Sequence, residues 1–156
     1  MALEQVGYNS PDGHVAPGKH TEVTAVGAAK TLVAADSGGT FLLDTAAGSI
    51  LTLPAVPVAG MEFEVLVSTS VTSNSHIVKT NDAAIFIGGG IQQMIDTTAV
   101  SEGQFADPTA TVTITMNGST TGGLIGTALK FKAISSTVWN ITGLVASSGT
   151  LATPFT

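Results

Sequence analysis

An all-β domain, a β-sandwich or jelly-roll-like barrel, is what this sequence predicts, on three observations. Short runs of β-branched and aliphatic residues alternate with polar ones at a period of two. Clusters of Gly, Pro, Asn and Ser interrupt those runs every ~8–12 residues, giving about nine strands. No stretch carries a convincing helical period.

Residues 1–27 stand apart as an extended N-terminal arm. Pro11, Asp12-Gly13 and Pro17-Gly18 punctuate them, and no period emerges. Residues 28–146 form the predicted sandwich domain, and 147–156 a Ser/Gly/Thr-rich tail ending in Pro154-Phe155. Within Ala28–Ser37 the Ala content would allow a short helix. Thr31-Leu32-Val33 reads better as a strand, closed by one helical turn at Ala34–Asp36.

The stretch Gly39–Thr69 carries the pattern most clearly, with strands expected at Thr40–Thr45, Ile50–Leu53 and Met61–Thr69. Leu51 and Leu53 fall on one face, Ile50 and Thr52 on the other. Glu62, Glu64 and Leu66 oppose Met61, Phe63, Val65 and Val67, so one face is wet and the other dry. Pro54 and Pro57 lack N–H donors and cannot extend a ladder. The expectation is an antiparallel pair, 50–53 with 61–69, joined by a rigid loop.

Beyond it, His76–Lys79 reads as a strand and Asn81-Asp82 as a turn. Ala84–Ile87 is a short apolar strand expected to stop at Gly88-Gly89-Gly90, with Ile91–Ile95 pairing back. Thr97–Ala106 reads as a loop. Ala110–Met116 alternates Val112, Ile114 and Met116 against threonines, and Asn117-Gly118 turns the chain. Ala128–Ile134 and Thr137–Thr142 make the last hairpin, with Lys130 and Lys132 outward, Leu129 and Phe131 inward, and Trp139 plugging the core. No repeat indicates a solenoid or propeller.

At 156 residues a single domain buries roughly 70% of its unfolded surface, so the absence of Cys costs it no necessary staple. Charged residues are 10% of the chain, against about 25% in ordinary domains, and mean hydropathy is +0.42. Either Thr, Ser and Asn cover the surface, or much of it faces other protein subunits. With net charge −6, five lysines and no arginine, nucleic-acid binding has no electrostatic footing. No apolar run reaches the ~20 residues of a spanning helix, and no secretory leader is visible at the N-terminus.

Candidate chemistry is thin, and no catalysis, cofactor or metal is expected. His14 and His20 lie near Asp12 and Glu22, but in no zinc-like spacing, and read as solvated arm residues. His76 reads as a turn or surface histidine. Gly88–Gly90 lacks the following helix and Lys-Ser/Thr of a phosphate cradle, so it reads as a turn. Glu62 and Glu64 share a strand face rather than confronting each other across a cleft, as a solvent face would. Asn117-Gly-Ser and Asn140-Ile-Thr fit the N-glycosylation pattern but arise by chance in Thr-rich strands.

Four elements together resemble the head decoration, or cement, proteins of tailed bacteriophages. They are Asp36-Ser37-Gly38-Gly39-Thr40-Phe41-Leu42-Leu43-Asp44, Gly48-Ser49-Ile50-Leu51-Thr52-Leu53-Pro54-Ala55, Gly60-Met61-Glu62-Phe63-Glu64-Val65 and Val138-Trp139-Asn140-Ile141-Thr142-Gly143. The resemblance implies a virion structural protein on the outer capsid surface, made in the host cytoplasm. It implies a homotrimer that binds across major capsid protein subunits, with its arm reaching neighbours. Val6, Tyr8 and Val15 are then the candidate arm contacts. Two alternatives stand beside it: a tail- or fibre-associated protein for host contact, and a carbohydrate-binding lectin-like module, which would put Trp139 on the surface for sugar stacking.

Overall fold

The computed structural model describes residues 22–156. They contain eleven strands and one three-residue 3-10 turn, Ala34–Asp36, with no α-helix. In chain order the strands are β1 (Val23–Ala25), β2 (Ala29–Thr31), β3 (Thr40–Leu43), β4 (Ile50–Thr52), β5 (Glu62–Val67), β6 (His76–Lys79), β7 (Phe86–Ile95), β8 (Ser101–Ala106), β9 (Thr113–Met116), β10 (Ala128–Ala133) and β11 (Val138–Ser147). They form a seven-stranded sheet, β1-β3-β5-β10-β11-β7-β8, and a four-stranded sheet, β2-β4-β6-β9. The sandwich expected from the alternation is present.

Its winding was not legible. The pair expected between 50–53 and 61–69 is not formed: β4 and β5 lie in different sheets. The chain instead alternates between layers from β1 to β6. As a result β3 pairs in parallel with both β1 and β5, and β4 with both β2 and β6. This half is a flat parallel coil, unlike the antiparallel Greek keys of a jelly roll. It repeats in space without repeating in sequence, because the strands of one layer start at the unequal positions 23, 40 and 62. The second half is mostly antiparallel, with β10 pairing β5 and β11, and β8 pairing β7.

The period-two faces place the core where the sequence put it. Leu51, Leu53, Phe63, Val65, Leu129, Phe131 and Ile141 are buried between the sheets. Trp139 is 0% exposed, its ring 5.6 Å from that of Phe63, which lies 6.1 Å from Phe41 in an edge-on pair. Such aromatic pairs add about 1 kcal/mol each beyond the area they bury.

Two local expectations are corrected. β7 does not stop at Gly88-Gly89-Gly90 but runs through it to Ile95. Gly89 has φ +123°, and a Cβ there would strike the Ile141 carbonyl of the adjacent strand. Gly89 therefore lets β7 lie against β11 rather than turn away. Thr97–Ala106 is not a loop throughout, since Ser101–Ala106 is β8. The first described residues and the C-terminal tail are also drawn into the sheets. Val23–Ala25 of the expected arm is the edge strand β1, and Phe155 of the tail is 8% exposed and bridged to Ile114.

Candidate functional site

The outer face of the seven-stranded sheet carries a shallow groove of about 380 Å³, lined chiefly by Gly38, Gly39, Thr40, Glu62, Glu64 and Lys130. Strand register builds it as cross-strand rows. Thr40, Glu64, Lys130 and Thr142 form one row, and Glu62, Lys132 and Asn140 the next. Glu64 lies 3.9 Å from Lys130, and Glu62 3.7 Å from Lys132, while the Thr40 hydroxyl donates to Glu64 at 3.1 Å. The two carboxylates share the outer face, as the solvent-face reading expected, and the structure adds that each is paired with a lysine rather than opposed to the other. Pairs this exposed contribute at most about 1 kcal/mol each. The groove is a balanced, hydrogen-bonding surface.

His76 is where the sequence reading fails. It is 0% exposed, not a surface side chain. Its Nδ1 accepts from the Ser49 backbone N–H at 3.1 Å and its Nε2 donates to the Thr69 carbonyl at 2.9 Å. These partners fix the neutral Nε2–H tautomer. Burial holds its pKa below the usual imidazole range, against smaller opposing effects of the Thr69 hydrogen bond and the Asp44 carboxylate. With both nitrogens engaged, the ring works as a staple between β4, β6 and the loop after β5. A small polar residue followed by histidine at a strand start gave no sign of this.

A second feature lies at one end of the sandwich. The β2–β3, β4–β5 and β10–β11 connections meet there, joined by hydrogen bonds from Gly38 N–H to the Glu62 carbonyl and from Gly60 N–H to the Ala133 carbonyl. Val33, Val56, Val58 and Ile134 stand exposed on these connections. In the β4–β5 loop the side chains sort in an unexpected sense: Pro54 and Pro57 are buried, whereas Val56 and Val58 face solvent. The prolines anchor the loop and the valines are presented. Val23 registers with Thr40, the first residue of β3, so the chain enters the fold at this same end.

The candidate arm contacts Val6, Tyr8 and Val15, with Asp12, His14 and His20, lie outside the described residues. Asn117 caps its own turn, its side-chain oxygen accepting from the N–H groups of Ser119 and Thr121. Asn140 lies in β11 at the groove. Among the described residues no three His, Asp or Glu side chains gather as a metal site, and no helix is long and apolar enough to cross a membrane. No family model, curated protein or solved structure matches the chain.

Proposed function

We propose that the chain is a structural protein of a tailed-bacteriophage virion, which decorates the outside of the capsid and stabilises it by binding across major capsid protein subunits. It acts by adding buried interface, without catalysis or cofactor. The resemblance in sequence supplies the class of partner and the trimeric assembly. The observation that carries the reading is the end of the sandwich where Val33, Val56, Val58 and Ile134 are presented on hydrogen-bonded loops. Exposed apolar side chains held on rigid loops suit a large protein surface better than water. The segment proposed as the arm joins the fold at that end, so both can engage one shell. A lectin reading gains nothing from the fold, since Trp139 is buried and withholds the platform a sugar would stack on.

The test is addition of the purified protein to undecorated capsids of the phage that encodes it, followed by cryo-electron microscopy. Regular density over the icosahedral surface is the expected result. Density confined to the tail, or none, defeats the reading. A variant lacking residues 1–21 keeps β1 and Val26, which a cut after Gly27 would remove. It should stay folded and lose occupancy.

A further inference from the structure

A two-layer sandwich has four sheet edges, and this one treats them unequally. β1 and β2 are edges of only three residues each. The edge of β9 is covered by the chain's own last residues: the Thr156 carbonyl accepts from Val112 and Thr113, and the Pro154 carbonyl from Thr115. The fourth edge, β8, is six residues long and among the described residues pairs only with β7. It carries a single charge, Glu102, and no Lys or Pro, the residues that commonly blunt open edges.

Its geometry is specific. The Ile95 N–H donates to the Val100 carbonyl. With the β7–β8 register, this assigns Glu102, Gln104 and Ala106 as the residues bonded to β7. Ser101, Gly103 and Phe105 therefore turn their N–H and C=O groups to the open edge and their side chains to the outer face. Phe105 is 71% exposed there. Its neighbour across the β7 ladder is Gly90, and a Cβ on Gly103 would meet nothing within 4 Å.

We propose that β8 is a self-association edge, pairing antiparallel with β8 of a second copy about a two-fold axis at Gly103. Charge selects that register. An axis at Glu102 would set Glu102 against its own copy, a destabilising like-charge pair. An axis at Gln104 would leave Ser101 unpaired. The axis at Gly103 sets Glu102 opposite the second copy's Gln104 and pairs every outward-facing backbone group. Each Phe105 then stands opposite the second copy's Ser101 and beside its Gly103. From there it reaches toward Met94, which is itself exposed and registered with Ser101. The isologous contact joins two seven-stranded sheets into one. It is a separate contact from the three-fold one of the shell reading, and the two together would join a pair of trimers into a hexamer.

Light scattering and sedimentation over a concentration series test it on the full chain. Phe105→Lys and Gly103→Pro should weaken the association on the order of tenfold or more, and Gln104→Glu by a smaller factor. Gln104→Lys, facing Glu102 of the other copy, should tighten it several-fold. The lysine and glutamate variants alter exposed or edge side chains only, so their unchanged thermal midpoints guard against misfolding. A wild-type protein that stays monomeric at every concentration, or that stops at a trimer, overturns the proposal. So does an oligomer whose affinity ignores Phe105→Lys and Gln104→Lys together.

Discussion

His76 makes stability depend on pH in a definite direction. Folding lowers its pKa, so below the usual imidazole value the unfolded chain binds a proton that the native ring resists. Stability is then fully present above about pH 6.5 and is lost as pH falls through the lower folded-state value. Protonation at Nδ1 would also strip the Ser49 N–H of its acceptor. The urea midpoint of the wild type should fall between pH 7.5 and 5, and that of His76→Gln should be lower at pH 7.5 and flatter across the range. An equal slope in both proteins would place the pH sensitivity elsewhere. Gly143 makes a sharper demand. It lies in β11 with φ +152°, and a Cβ would strike the Ala128 carbonyl across the β10–β11 ladder. Gly143→Ala should cost about 3 kcal/mol, combining backbone strain with a displaced strand, as read from chemical denaturation.

At the scale of elements, the sequence disclosed faces better than partners. The alternation in β4, β5 and β10 correctly divided Leu51 from Ile50, Phe63 from Glu62, and Phe131 from Lys130, because burial acts on each strand separately. Pairing depends on where the intervening loops carry the chain, and nothing in Pro54–Gly60 states that it crosses between sheets. Glycine misled for a related reason. Gly88–Gly90 has the composition of a turn, yet Gly89 is required here by close approach to β11 and Gly88 by the close packing of Pro108. β8 was missed because Ser-Glu-Gly-Gln-Phe-Ala has no apolar alternation, its Phe being outside. The C-terminus offers a test at this scale. Residues 154–156 cover the β9 edge, and Phe155 is buried. Deleting them should lower stability by roughly 3 kcal/mol, by analogy with large-to-small core changes. It should also expose an edge prone to pairing with other chains. A truncated protein with an unchanged melting temperature would show that this segment contributes no structure.

For the whole molecule, under the capsid attachment proposed above, two outer surfaces compete as the shell-facing side, and their chemistry separates them. The groove over β3, β5, β10 and β11 balances Glu62 and Glu64 with Lys130 and Lys132, so it has little net attraction for an apolar surface. The loop end presents Val33, Val56, Val58 and Ile134, none of which sequence patterning singled out, since an apolar residue in a Pro-rich loop can as easily face inward. Burying a valine or isoleucine side chain is worth about 1.5–3 kcal/mol, and burying an aspartate in its place carries a further cost. Val56→Asp, Val58→Asp and Ile134→Asp combined should therefore weaken attachment to undecorated capsids by at least about a hundredfold. Because all these side chains are exposed in the isolated protein, its melting temperature should hardly move. The charge reversals Lys130→Glu and Lys132→Glu provide the counter-test, since they disturb only the groove. If they abolish occupancy on the shell while the loop variant binds like the wild type, the sheet face rather than the loop end meets the capsid.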